Sequence, residues 1–337
     1  MIMTPIAPHI TAFLQQRLPV ERNASDHTCD SYAYAFKLLF EYASDCLKVA
    51  PSELQLEQLD APLVVAFLNH LETTRGNGPS SRNTRLAAIK SFMHFMSYRV
   101  PSAMEQIQRI LAIPAKKAET RLVRHLTVEE MQSILDAPVP EHRGGIRDRA
   151  MLHLCFAAGL RVSELIGLRI DDVKLQPQAS VLIHGKGRKQ RCLPLWKETT
   201  AALRAWLAVR GTVLAPELFV NARGEAMTRS GFEYILHKHA HRAAARCASL
   251  STKRVSPHVV RHTCGLTVLQ ATKDLRKVSL WLGHSNMQTT EIYTRADPSV
   301  KLEALESMIA PKLRSGRFKA TDQLIASLKA STVMRRQ

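Results

Sequence analysis

One tyrosine, two arginines, a lysine and two histidines stand in short, distinct contexts across the second half of this 337-residue chain. Arg161 lies in Ala157-Ala-Gly-Leu-Arg-Val-Ser-Glu164, and Lys186 in Gly185-Lys-Gly-Arg-Lys-Gln190. His258 and Arg261 share Ser256-Pro-His-Val-Val-Arg-His262, His284 lies in Trp281-Leu-Gly-His-Ser285, and Tyr293 follows. These side chains suit attack by a phenol oxygen on a phosphodiester. Guanidinium forks bind phosphate oxygens and offset the charge that builds on phosphorus. An ammonium or imidazolium can protonate the departing oxygen. A free phenol titrates near ~10, so adjacent cations are needed to favour its ionised form.

Each context has a bland reading beside the chemical one. Pro257 suits the first turn of a helix, which puts His258, Arg261 and His262 at i, i+3 and i+4 on one face. Alone, His-x-x-Arg is too short to carry much weight. Arg161 follows a helix-ending glycine, and Glu164 one turn later can orient a neighbouring side chain; a buried Arg–Glu pair that merely locks the junction is the alternative. Lys186 sits on a glycine-flanked turn from which it can reach a phosphate, with Lys189 as an alternative proton donor. Lys186, Arg188, Lys189 and Arg191 also read as a grip on a polyanion backbone. Tyr293 lies nine residues after His284, close enough for both to border one cavity. In His237-Lys-His-Ala-His241 only His237 and His241 share a helical face and no third ligand is apparent, so no metal is expected.

The surroundings favour a nucleic-acid partner. Lys and Arg number 47 against 29 Asp and Glu, a formal charge of +18. That excess repels itself unless a polyanion is near. Six cysteines lie far apart without a Cys-x-x-Cys pair, which argues against zinc ribbons and a disulfide framework. No apolar stretch approaches the roughly 20 residues that span a bilayer. No secretory leader is visible and no Gly-x-x-x-x-Gly-Lys-Ser/Thr loop is present. A soluble cytoplasmic protein that needs no cofactor is expected.

Periodicity predicts two domains. Residues 1–113 read as a helical unit. Tyr32, Phe36, Leu39, Ala43 and Leu47 form one stripe, Asp60-Ala-Pro62 starts a second helix, and Leu86, Ile89, Phe92, Met93 and Met96 line a third. Arg82, Arg85 and Lys90 lie on the other faces of that third helix, as solvated charges or as phosphate contacts. Residues 114–125 lack hydrophobic periodicity and read as a linker. A capping box at Thr127–Glu130 opens a second, mainly helical unit over 126–313. Within it a helix over 146–158 stops at Gly159, and strands at 179–184 and 191–195 flank the basic turn. A tail over 314–337 follows.

The ordered set AAGLRVSELIGL, HGKGRKQRCLPL, SPHVVRHT and LGHSNMQTTEIYT resembles the tyrosine recombinase (phage integrase) family. SSRNTRLAAIKSFMHFM is similar to the last helix of that family's core-binding domain. The resemblance implies a mainly α fold with a small antiparallel sheet: an N-terminal SAM-like domain and a C-terminal catalytic domain. It implies strand cleavage and rejoining on double-stranded DNA through a 3′-phosphotyrosyl linkage, within a tetramer that exchanges a C-terminal helix. Arg161 and Arg261 would bind the scissile phosphate, Lys186 would be the general acid and His258 would assist proton transfer. His284 would bond a phosphate oxygen, Tyr293 would be the nucleophile and Glu164 would support the first arginine. The apolar stripe Leu302, Leu305, Met308 and Ile309 is the first candidate for exchange, and the stripe from Phe318 to Leu328 the second; either can instead pack on its own subunit. The chain departs from the family at Cys264-Gly-Leu266, where a Phe-Ala pattern is usual. A mobile-element integrase is expected over a Xer-type dimer resolvase, with a non-catalytic DNA binder as the rival from another class.

Overall fold

Among the described residues, five α-helices build the first of two compact units, residues 1–120 and 121–337. The computed structural model describes residues 3–118, 124–185, 189–284, 289–290 and 293. In the first unit, α1 (Ile6–Ala12) runs into wider π-helical turns over Phe13–Glu21 that accommodate Pro19. It is followed by α2 (Asp26–Leu47), α3 (Ala61–Thr73), α4 (Pro79–Arg99) and α5 (Met104–Leu111). The start signal at Asp60 works as its chemistry demands: its carboxylate accepts the Leu63 N–H at 2.8 Å, satisfying one orphan donor of the first turn. From the α2 stripe, Phe36, Leu39 and Ala43 are buried, whereas Tyr32 and Leu47 sit at the margin. Phe13, Phe36 and Phe92 meet edge-on with centroids 5.3–6.0 Å apart, and the α4 stripe Leu86, Ile89, Phe92, Met93 and Met96 closes the core.

The second unit opens with α6 (Val128–Asp136). Thr127 Oγ1 accepts the Glu130 N–H at 3.1 Å while Glu130 takes the Thr127 N–H at 2.8 Å, a reciprocal cap. Next come α7 (Arg143–Ala157) and α8 (Val162–Gly167), separated by Gly159 at φ +56. In that left-handed conformation a side chain is strained, and a Cβ would lie 2.5 Å from Leu282 Cδ2. Strands β1 (Val173–Lys174), β2 (Ser180–His184) and β3 (Gln190–Pro194) form an antiparallel sheet in that order. Val181 pairs with Leu193, both buried, which fixes the inward face. The predicted hairpin is present; β1 has two residues, too few for an alternation to show. Helices α9 (Lys197–Arg210), α10 (Arg229–Ala244), α11 (Pro257–Thr272) and α12 (Leu275–Leu282) follow. The fold is mostly helical with one small antiparallel sheet. Among the described residues no helix is long and apolar enough to cross a membrane.

A buried polar knot ties α7 to α10. Asp148, with 1% of its side chain exposed, accepts from Arg147 at 2.7 Å and faces His239 Nε2 at 2.9 Å and Lys238 at 3.6 Å. His239 is the middle residue of the histidine run; His237 and His241 remain exposed, as their shared face dictates. Burial pushes the Asp148 pKa up, but hydrogen bonds from His239 and Arg147 and the Arg147 charge outweigh it, holding the carboxyl below its ordinary value. Because the folded pKa is depressed, the stabilisation is present above the unfolded carboxylate pKa and fades as pH falls through the folded one. Asp148→Ala removes the carboxylate that a buried imidazole and a guanidinium share, so a loss of about 3 kcal/mol is expected in urea unfolding at neutral pH. That deficit should shrink in acid; an equal deficit at both pH values would count against the ionised knot.

Candidate active site

The site is organised by one carboxylate. Arg161 is the N-cap of α8, and its backbone N–H donates to Glu164 Oε2 at 3.0 Å while its guanidinium reaches Oε1 at 2.7 Å. From β3, Arg191 sets Nη1 and Nη2 on the two Glu164 oxygens at 3.2 and 2.9 Å, and its Nε donates to the Trp281 carbonyl at 3.0 Å. From α11, Arg261 lies 3.7 Å from Glu164 Oε2 and donates to the carbonyls of Gly159 and Leu282 at 2.6 Å each. Burial pushes the Glu164 pKa up, but the hydrogen bonds and charge of Arg191, with the hydrogen bonds of Arg161, outweigh it and keep the carboxyl ionised. Three guanidiniums against one carboxylate leave an excess of positive charge. Arg161, a third exposed, carries it outward, whereas Arg261 is buried. Burial and the Arg161 charge lower the Arg261 pKa to about 10, which still leaves it charged at neutral pH.

Tyr293 lies beside this cluster and is fully buried. Its ring fits because residue 265 is glycine: a Cβ there would stand 2.7 Å from Tyr293 Cζ, 2.9 Å from Cε1 and 3.0 Å from Leu282 Cδ1. The His284 ring lies parallel to it, centroids 6.3 Å apart, and His284 Nδ1 is 2.9 Å from Thr290 Oγ1. His262 Nδ1 is 3.1 Å from the phenol oxygen, the two rings meeting edge-on. Burial raises the Tyr293 pKa to about 12 against the pull of Arg261. Burial, then nearby positive charge, lowers His262 and His284 to about 4, so both are neutral at physiological pH.

Arg161, Glu164, Arg261, His284 and Tyr293 therefore converge. His258 sits exposed in the first turn of α11. Lys186 and Arg188 lie outside the described residues, as do the stripes at 302–309 and 318–328; Lys189 is exposed beside the turn. Two expectations are corrected. Arg191 is not a surface cation gripping a backbone: 11% of its side chain is exposed and both of its η nitrogens are committed to Glu164. Arg191 shares a strand face with buried Leu193, two residues on, and that parity is the signal that could have revealed it. Arg82 likewise turns inward, 3.6 Å from Glu72 and 3.5 Å from the Pro114 carbonyl, with 5% of its side chain exposed. Arg85 is half-buried over the Tyr34 ring at 4.9 Å, and Lys90 is half-exposed beside Arg17, Arg22 and His94. His262 and Gly265 were not singled out for the phenol; their place one turn apart on α11 was legible, but what they face was not.

Residues 124–299 match the Phage integrase family, and residues 10–99 match the Phage integrase N-terminal SAM-like domain. The chain belongs to the phage integrase family. As a tyrosine recombinase it is an enzyme. It is 42% identical over 323 residues to a putative integrase/recombinase of Sinorhizobium fredii, covering 96% of this chain and 97% of that one. It is 34% identical over 315 residues to the tyrosine recombinase XerC of Pelobacter propionicus, covering 93% and 98%. The fold is similar to a XerH site-specific recombinase bound to a palindromic difH substrate in a post-cleavage complex: TM-score 0.64, 25% identity, covering 88% of this chain and 84% of that one. It is also similar to the Tn1549 transposon integrase with circular-intermediate DNA, TM-score 0.66 at 15% identity, covering 90% and 100%; this second likeness concerns the fold.

The slot at Gly265 makes a prediction for this recombinase. Alanine gains about 1 kcal/mol in helix propensity but overfills the slot at a cost of about 1–3 kcal/mol. Gly265→Ala should therefore lower the melting temperature in the wild-type background. In a Tyr293→Ala background, where the ring is gone, it should be neutral or stabilising. Equal effects in both backgrounds would mean that the ring does not occupy the slot.

Proposed function

We propose that this recombinase cuts and rejoins specific double-stranded DNA sites through a 3′-phosphotyrosyl intermediate, as the integrase or transposase of a mobile element. The observation that carries the reading is the guanidinium cluster ordered by Glu164 beside the Tyr293 phenol. Arg161 and Arg261 bind the scissile phosphate and offset charge on the phosphorane. The Tyr293 oxygen bonds to phosphorus, the bond to the 5′ oxygen breaks, and Lys186 supplies that oxygen with a proton. The phosphotyrosyl ester preserves the bond energy, so a 5′ hydroxyl from a partner duplex restores the DNA by reversing the step. His284 bonds a phosphate oxygen and His258 assists proton transfer. The reaction as written consumes no metal, nucleotide or redox cofactor.

In this reading residues 1–113 clamp the duplex, with Arg85 and Lys90 available to phosphates, 114–125 link the domains and Lys189 and Arg188 grip the backbone at the basic turn. Four protomers assemble on DNA in the cytoplasm by passing a C-terminal segment to a neighbour. The Sinorhizobium fredii relative, named a putative integrase/recombinase and similar along nearly its whole length, is in keeping with an integrase. A second reading, dimer resolution by a Xer-type enzyme, has the XerC relative in its favour.

Tyr293→Phe should abolish covalent capture on a nicked suicide duplex while gel-shift affinity stays unchanged; undiminished capture would remove Tyr293 from its role. Cleavage by the wild-type enzyme should proceed at the same rate in EDTA, and strong inhibition would point to a metal-dependent nuclease.

A further inference from the structure

We propose that His262 is a catalytic residue of this enzyme: the acceptor that takes the phenol proton as Tyr293 attacks phosphorus. The inference rests on the cleavage chemistry above and gives the hydrogen of the nucleophile a specific destination, where that scheme says only that His258 assists proton transfer.

Geometry singles out His262 among three histidines. Its Nδ1 stands 3.1 Å from the Tyr293 oxygen, within hydrogen-bond reach. His284 lies parallel to the ring, and its Nδ1 is engaged with Thr290. His258 is exposed at the start of α11, a full turn before His262. Gly265, one turn further along the same helix, lets the ring come this close, since even a methyl group there would meet the Cζ that bears the phenol oxygen. Glycine and histidine at i+3 and i thus form one fixture: the first sets how deep the ring sits, the second meets its hydroxyl.

At rest both partners are uncharged. The charged and titratable groups facing His262 are His258 and Arg261 on its own helix, with Tyr293 and His284 from the segment after α12. Burial and the charges of His258 and Arg261 keep the ring neutral, so Nδ1 offers a lone pair in the tautomer that carries its hydrogen on Nε2. At rest the proton stays on the phenol, whose pKa is about 12. Two changes move it when DNA is bound. A phosphate anion at Arg161 and Arg261 offsets the positive charge that disfavours imidazolium, and a phenol oxygen bonding to phosphorus becomes strongly acidic. The step balances: the O–H bond breaks, Nδ1 gains the proton, the O–P bond forms, and the 5′ oxygen leaves with the proton from Lys186. On rejoining, the incoming 5′ hydroxyl returns its proton to Lys186, and His262 returns its own to the departing phenolate.

The test is single-turnover covalent capture on a nicked suicide duplex as a function of pH. His262→Asn keeps an acceptor oxygen near the Nδ1 position but cannot carry a proton, and His262→Gln serves as a second variant should Asn unfold the protein. Capture should slow by about 10²-fold, with melting temperature and DNA affinity unchanged. The rate, flat in the wild type through neutral pH, should climb with pH in the variant because hydroxide must then remove the proton. A duplex with a 5′-bridging sulfur at the scissile bond supplies a leaving thiolate that needs no proton. It should relieve Lys186→Ala and leave the His262→Asn defect in place. Wild-type rates and a flat pH profile in His262→Asn, or its rescue by the sulfur substrate, would overturn the proposal while leaving the cleavage scheme intact. Absence of any covalent adduct with the wild-type enzyme would instead overturn the cleavage scheme, and this inference with it.

Discussion

Three guanidiniums drawn to one carboxylate hold this active site together. Arg161, Arg191 and Arg261 come from a helix start, a strand and a helix interior, and without Glu164 their mutual repulsion would drive those elements apart. Backbone assists: the carbonyls of Gly159 and Leu282, at the ends of α7 and α12, present their negative poles to Arg261. A lone buried arginine is costly; one that fills carbonyl acceptors at two helix ends and faces a shared carboxylate is supported on all sides. The surplus positive charge is what a phosphate would neutralise, so the arrangement that makes the fold coherent also leaves the site with charge that an anion would offset.

Around that charged centre the titratable groups are held in their uncharged forms. Tyr293 keeps its proton because it is buried, and His262 and His284 lose theirs for the same reason, aided by the nearby arginines. The result is a site whose permanent charges are arginine and glutamate and whose movable protons sit on tyrosine and histidine. Permanent charges bind and orient; the movable protons are those a phosphoryl transfer must relocate.

Local signals were legible in the chain. The Thr127–Glu130 box, Pro257 at a first turn, the stop at Gly159 and the glycine-punctuated hairpin all act within a few residues, and each forms as its chemistry requires. The stripes of α2 and α4 likewise predicted which faces turn inward. What could not be read were partnerships between distant residues. Arg82 meets Glu72 across two helices, Arg191 meets Glu164 from 27 positions away, and His239 meets Asp148 across 91. The two arginine charges that looked free for solvent or DNA, and an imidazole assigned neither role, are each consumed by a tertiary partner. The departure at Cys264-Gly-Leu266 was visible as an oddity, and its meaning emerged only when the ring of Tyr293 was found against Gly265.

Arg191 has a mechanical side. Its fork holds Glu164, while its Nε holds the Trp281 carbonyl, and it passes Gly283 so closely that a Cβ there would stand 2.9 Å from Nη1. A single rigid plane thus joins the strand that follows the basic turn to the end of α12, just ahead of His284. A pull on β3 need not diffuse through the core, because it has a stiff strut to travel along, ending at the Trp281 carbonyl, three residues short of an imidazole and a dozen short of the phenol.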